Sequence, residues 1–165
     1  QGWEWDGVRF DVLHPPPSYY AQPRMKTNDL SCVVRVTSGA GRALLTGDIE
    51  ARSEMDLLQR DPGALRAEVL VVPHHGSISS STPAFIGAVA PDAAVFTPGY
   101  RNRFGHPRPE VVARYAQFGA TLHRTDRDGA LTFVFAPGAS RAPRAERSHA
   151  ARYWREPARA TSRLD

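Results

Sequence analysis

Val69-Leu70-Val71-Val72-Pro73-His74-His75-Gly76-Ser77 is the stretch on which the reading of this chain turns. Four consecutive aliphatic residues, three of them β-branched, fit a short strand buried on both faces, because branched side chains pack well on a pleat and no polar position marks a wet side. Proline closes the strand, two adjacent imidazoles follow, and glycine then lets the backbone turn sharply. The pattern recurs on either side: Ala43-Leu44-Leu45 runs into Thr46-Gly47-Asp48, and Ala93-Ala94-Val95-Phe96 is followed a few residues later by Gly105-His106-Pro107. A carboxylate and imidazoles at the mouths of successive buried strands are what a divalent metal site needs, since the strands fix the backbone while the adjoining loops aim the ligands.

Working outward, residues 50–59 place Met55, Leu57 and Leu58 on one face of a helix that Asp61-Pro62-Gly63 stops. Thr82-Pro83 supplies an N-cap and first-turn proline for a helix over residues 84–89, which Pro91-Asp92 ends. Pro109-Glu110 opens another, with Val111, Val112, Tyr115 and Phe118 on its apolar side and Gly119 at its end. Upstream, residues 8–13 alternate with period two as a half-buried strand that stops at His14 and Pro15-Pro16-Pro17. Residues 18–28 read as a surface loop, 30–37 as a strand, and Gly39-Ala40-Gly41 as a hairpin connection into an antiparallel strand over 42–46. Strands over 121–124 and 130–135 flank the turn-like Asp126-Arg127-Asp128-Gly129. Strands alternating with helices give an α/β layered fold, with hairpins adding antiparallel strands to the sheet.

The chain has 165 residues, 41% of them hydrophobic, which is one domain's worth or less and enough for a real core. Its formal net charge of +4 is unevenly spread: residues 1–135 hold 14 Lys and Arg against 14 Asp and Glu, whereas residues 136–165 hold seven Arg against three acids. We therefore divide it into a domain over 1–135 and a disordered Arg/Pro/Ala-rich tail over 136–165, with an Arg-rich helix near 150–155 as the one element the tail suits. The tail reads first as a solvated linker and second as a contact for nucleic acid or anionic lipid. No apolar stretch nears the roughly 20 residues that span a bilayer, and Gln1 opens neither a basic nor a signal-type region; because the sequence also lacks an initiating Met, it is expected to be a fragment of a longer protein or an excised domain. Cys32, alone in an apolar run over 30–36, is expected to be reduced and buried.

Asp48 follows a glycine at a strand end, where a carboxylate bridges two cations, orients a metal-bound water, or caps the helix that begins near residue 50. In the His74-His75 pair, adjacent rings point in different directions, so one can bind metal while the other orients a ligand or donates a proton. His106 is held between a free and a restricted backbone neighbour, and Asn102 and Arg103 beside it suit a phosphate. Ser77 is a candidate substrate contact at the head of the polar run Ser79-Ser80-Ser81-Thr82, whose chemistry is that of turns and caps more than of a nucleophile. His14, His123 and His149 are poorer candidates. No Gly-x-Ser-x-Gly elbow and no Walker-type loop is present, which disfavours serine nucleophiles and nucleotide binding.

The ordered set Asn28-Asp29-Leu30-Ser31, Leu44-Leu45-Thr46-Gly47-Asp48-Ile49-Glu50, Val71-Val72-Pro73-His74-His75-Gly76-Ser77, Asn102-Arg103-Phe104-Gly105-His106-Pro107 and Arg124-Thr125-Asp126-Arg127-Asp128-Gly129 resembles the metallo-β-lactamase-like domain of the ComEC family of DNA-uptake proteins. The resemblance runs from about residue 8 to residue 135. It implies the C-terminal portion of an αββα sandwich, a mixed sheet with flanking helices, and a hydrolase site with two divalent metal ions (Mn, Zn or Fe) at one edge. It implies a polytopic parent in the cell membrane that moves single-stranded DNA during transformation, with this domain extracytoplasmic and degrading the non-transported strand. On the same resemblance Asp48 is the bridging carboxylate, His75 or His74 a ligand or proton donor, His106 a further ligand, and Asn28 the occupant of a position where related folds place a histidine. The family's His-x-Asp-x-Asp-His or His-x-His-x-Asp-His loop is absent from these residues and is expected upstream of Gln1. The partners implied are DNA, the other half of the domain and the parent's transmembrane channel, and the fragment alone is expected to bind metal weakly. A small-molecule metallohydrolase of the lactonase or thioesterase type, which the neutral balance of residues 1–135 favours, and a non-catalytic DNA-guiding or docking module are the competing readings.

Overall fold

The apolar runs become the strands of one mixed sheet. In the computed structural model, which describes residues 1–22, 24–138 and 142–150, that sheet has seven strands in the order of the chain: β1 (Gly2–Trp5), β2 (Val8–His14), β3 (Val33–Ser38), β4 (Gly41–Leu45), β5 (Val69–Val71), β6 (Ala93–Phe96) and β7 (Thr121–Arg124). The first four pair antiparallel, β1 with β2 and β3 with β4 through short turns and β2 with β3 across the long connection over residues 15–32. From β4 onward the pairing is parallel, which requires a crossover for each step. The crossovers are α1 (Ala51–Arg60), α2 (Pro83–Val89) and α3 (Pro109–Gln117). Thr82 caps α2 as its sequence predicts, its Oγ1 accepting from the Phe85 N–H at 3.4 Å.

All three helices pack on one face. Leu44, Leu70 and Ala94 are wholly buried there against Leu57 of α1, Phe85, Ile86 and Val89 of α2, and Val111 and Tyr115 of α3. Strand alternation turns the neighbouring residues the other way. Two rows cross that opposite face in register: Trp3, Phe10, Val36, Ala43, Val69 and Ala93, and beside them Val12, Val34, Leu45, Val71, Val95 and His123. Leu131, Phe133 and Phe135 cover its β5–β6 part. Toward β1 it lies open, with Trp3 48% and Trp5 69% exposed.

Beneath the helices two buried polar groups fix loops. Glu54 of α1 accepts from the Ser81 and Thr82 N–H groups, and Tyr115 donates to the Ser81 hydroxyl at 3.1 Å. His14 ends β2 fully buried, its Nε2 donating to the Asp29 carbonyl at 2.9 Å. Both hold the backbone of segments that lead into the strand-end loops.

The structure departs from the sequence reading in several places. β1 was not anticipated: it is the outer arm of a hairpin whose turn, Asp6-Gly7, takes the positive φ values (48° and 75°) that such a turn needs. Residues 28–30 form a 3-10 turn and β3 starts only at Val33, so Cys32 precedes the strand and is exposed, not buried. Of residues 130–135 only β8 (Leu131–Thr132) is a strand, and it pairs antiparallel with β9 (Arg144–Ala145). Asp126 and its neighbours form α4 (Thr125–Asp128), a single helical turn. β9 and α5 (Glu146–His149) lie within the stretch read as a structureless tail, which therefore does not hold for those residues. The Arg-rich helix expected over 150–155 lies, past Ala150, outside the described residues. The architecture is thus α/β with a mixed seven-stranded sheet and flanking helices, as the alternation of strands and helices predicts.

Candidate functional site

Three parallel strands deliver the loops of interest to one edge of the sheet, since β4, β5 and β6 all end there. Open α/β sheets bind ligands outside the carboxyl ends of their strands. After β4, Ile49 is fully buried and anchors the segment, so Asp48 and Glu50 on either side of it turn outward. The Asp48 N–H donates to Ser31 Oγ at 3.2 Å, and the His74 N–H donates to the Gly47 carbonyl at 3.0 Å, fastening the loop after β5 to the loop after β4.

That second loop is held in an uncommon backbone. His74 (φ 49°), His75 (φ 55°) and Gly76 (φ 85°) are consecutively left-handed. For the two histidines this costs on the order of 1–3 kcal/mol each, the kind of strain that persists where surrounding contacts impose it. A Cβ on Gly76 would lie 2.6 Å from Pro107 Cβ and 2.9 Å from the Phe96 ring. Glycine is required there, and its carbonyl accepts from the Arg108 N–H at 3.0 Å, which ties in the third loop.

The strained turn splays the two imidazoles. His75 Nε2 lies 3.4 Å from Asp48 Oδ1, and its Nδ1 lies 3.2 Å from Thr97 Oγ1 at the end of β6. His74 Nδ1 lies 3.3 Å from Ser79 Oγ and 3.7 Å from Glu50 Oε1. The His106 ring stands 5.9 Å from that of His74, centre to centre. Burial pushes the Glu50 carboxyl up, but hydrogen bonds from Lys26 (3.1 Å) and Asn28 (3.3 Å) and the charges of Lys26 and His74 outweigh it and hold the group below its usual range. Glu50 is a carboxylate at neutral pH. Burial, then the charges of His74, Arg108 and His75, hold His106 below its usual value. It is neutral at pH 7, and its buried Nδ1 has no hydrogen-bond partner, the state of an imidazole with a lone pair to offer.

Sequence comparison sets the chain beside known proteins. The chain is 40% identical over 144 residues to competence protein ComA of Neisseria gonorrhoeae, a match that covers 87% of this chain and 20% of that one. It is 32% identical over 133 residues to recombination protein 2 of Haemophilus influenzae (81% and 16%) and 32% identical over 128 residues to ComE operon protein 3 of Bacillus subtilis (78% and 16%). The chain belongs to the ComEC family of competence proteins. It spans at most a fifth of the length of these ComEC-family relatives. No protein-family model matches it. Among the described residues no helix is long and apolar enough to cross a membrane.

Of the side chains singled out in this ComEC-family sequence, Asp48, His74, His75 and His106 converge at the strand ends. Asn28 reaches the same place, but through Glu50. Two expected substrate contacts are spent on the loops themselves. Ser77 is buried with its hydroxyl 3.0 Å from Ser79 Oγ, and Asn102 clamps the His106 backbone, donating to its carbonyl at 2.8 Å and accepting from its N–H at 2.9 Å. Arg103 is exposed, its guanidinium 5.0 Å from the centre of the Phe104 ring. Glu50 and Thr97 went unassigned. The alternation about Ile49 carried a signal for Glu50, whereas Thr97 meets His75 only through the pairing of β5 with β6.

A metal centre needs more ligands than these side chains supply. Structural and catalytic zinc sites take three or four protein ligands. Asp48 and His75 make a pair, but among the described residues no group of three or more His, Cys, Asp or Glu is set to hold an ion. By themselves these residues do not fit a complete metal centre.

Proposed function

We propose that this chain is part of a metallo-β-lactamase-like hydrolase domain in a ComEC-like membrane protein for DNA uptake, and that the domain hydrolyses phosphodiesters of the non-transported strand outside the cytoplasm. The observation that carries the reading is the convergence of Asp48, His74, His75 and His106 at the ends of three successive parallel strands, in a chain whose relatives are named for competence. Because the donor set is incomplete, we assign the two divalent ions and their missing ligands to the assembled parent domain, to which this chain contributes Asp48, His75, His106 and Asn28.

The chemistry available to the chain's own residues is proton handling and orientation. The His75 imidazole faces Asp48 with one nitrogen and the Thr97 hydroxyl with the other, so the ring is aimed and its Nε2 serves either as a ligand or, where it holds no ion, as a proton donor beside a carboxylate. His74 is steered by Ser79 and ionised Glu50. His106 presents a neutral ring from a loop that Asn102 and Gly76 fix.

The test is cleavage of end-labelled single-stranded and duplex oligonucleotides by the parent domain supplied with Mn, Zn or Fe. Asp48→Ala is expected to lower the rate by at least about 100-fold, the scale on which electrostatic groups at such sites act. Cleavage by Asp48→Ala at the wild-type rate would sink the mechanism. The incomplete ligand group favours one second reading, a DNA-guiding module without catalysis, which binding with no cleavage under any metal would establish.

A further inference from the structure

We infer that the loop between β6 and α3 carries a base-stacking platform for unpaired nucleic acid, built from the rings of Tyr100 and Phe104 and the guanidinium groups of Arg101, Arg103 and Arg147. The inference rests on, and deepens, the nucleic-acid reading of the neighbouring site by naming single strands as the ligand class.

Charge is the first observation. Pro98-Gly99-Tyr100-Arg101-Asn102-Arg103-Phe104-Gly105-His106-Pro107-Arg108-Pro109 holds three arginines and no acid, within a stretch (residues 1–135) whose 14 cations balance 14 anions. A surface that is neutral on average thus concentrates positive charge beside the candidate site. The rings are the second. Tyr100 is 55% exposed and Phe104 60%. Two large aromatics this exposed in so short a loop leave more than half of their surface open to what approaches from outside.

The third is how cations and rings are combined. Arg101 and Arg147 lie 5.2 and 5.6 Å from the Tyr100 ring centre, and Arg103 lies 5.0 Å from that of Phe104. Arg147 comes from α5, so two distant segments supply cations to one ring. Guanidinium groups lying over half-exposed rings put stacking surface and phosphate-binding charge in one place, the combination by which proteins hold single strands once the cation swings to the phosphate and a base takes its place on the ring. The platform also leads to the site: Phe104 lies nearly parallel (17°) to His106 at 6.1 Å, and His106 is 5.9 Å from His74. Asn102 clamps the His106 backbone, which fixes the loop that carries the rings. Bases inside a duplex are already stacked and offer no free face, so rings distinguish unpaired strands, whereas arginines attract either form.

The experiment is fluorescence anisotropy on the intact chain with a chelator present, using a labelled oligothymidylate of about 15 nucleotides and a duplex of equal length at two salt concentrations. The single strand is expected to bind more tightly. Phe104→Ala and Tyr100→Ala should each weaken single-strand binding by about 5- to 50-fold with little change for duplex, and Phe104→Trp should restore it. Arg101→Gln and Arg103→Gln should weaken both forms and each lower the salt slope by about one. Both rings are more than half exposed, and thermal melts check that the variants fold. Single-strand binding that is indifferent to both ring substitutions would overturn the platform, as would tighter binding to phosphatidylglycerol vesicles than to oligonucleotide. The two proposals fail separately. Ring-dependent binding without cleavage by the parent domain sinks only the hydrolase reading, and cleavage with ring-independent binding sinks only this one.

Discussion

The two faces of the sheet are built from the same kinds of residue and have different fates. On one, Leu44, Leu70 and Ala94 vanish beneath three helices. On the other, two rows of side chains, all apolar but His123, run across six strands each, yet only Val69, Ala93 and Val95 are buried, under Leu131, Phe133 and Phe135. Apolar composition alone does not say which face is the core. What decides is whether a crossover helix follows the strand, and crossovers come only with the parallel pairs. The site belongs to the parallel half for the same reason, because parallel strands end together and antiparallel ones do not.

The sharpest way to break that comparison is to remove one large aromatic side chain from each side of the sheet. Phe85→Ala, fully buried under the helices, is expected to cost about 3–5 kcal/mol of unfolding free energy in urea titration. Trp5→Ala, on the open face and 69% exposed, should cost about 0.5 kcal/mol or less. Equal losses would mean that the open face is packed in solution against something that covers it. A smaller effect is expected at the seam between strand-end loops. Gly76→Ala places a methyl into Pro107 and Phe96 and forces a side chain to φ 85°, and should cost about 2–4 kcal/mol. Measured by urea titration as well, a neutral Gly76→Ala would show that the loops after β5 and β6 are not locked together.

Much of this was legible because the signals are local. Periodicity located the strands and helices of the parallel half, Thr82-Pro83 marked the start of α2, and strand-end polar residues marked the edge where Asp48, His74, His75 and His106 meet. β1 was legible and passed over: Asp6-Gly7 sits between Trp3 and Trp5 on one side and Val8 and Phe10 on the other, the pattern of a tight hairpin. Cys32 misled because its apolar neighbours imitate a buried strand, whereas Ser31 next to it is committed to the Asp48 backbone and bends the chain away from the sheet until Val33. β9 could not be read, since two paired residues in a run of alanine and arginine have no period to detect. The same holds for Thr97 and for the Arg147–Tyr100 contact, which exist only once distant segments are brought together.

Acid provides the finest test of the two faces, because each holds a histidine held below its usual value. On the helical side His14 is fully buried, and burial lowers it more than the Asp29 carbonyl and the charge of Asp56 raise it. On the open side His123 packs edge-on against Phe133, and burial lowers it against the opposing charge of Asp128. A depressed histidine binds its proton less readily in the folded chain than in the unfolded one. Stability is therefore full above the unfolded value of 6.5 and falls as pH drops below it, toward the lower folded value. Between pH 7 and 5.5 the chain is therefore expected to lose stability through His14. His14→Gln should flatten this part of the stability profile while lowering stability at pH 7, because the buried ring's edge-on packing against Tyr19 is lost. His123→Gln should flatten it less, since its half-buried ring already meets water. If His123→Gln flattened the profile more than His14→Gln, the open face would be the drier of the two in solution, and the asymmetry of the sheet would be reversed.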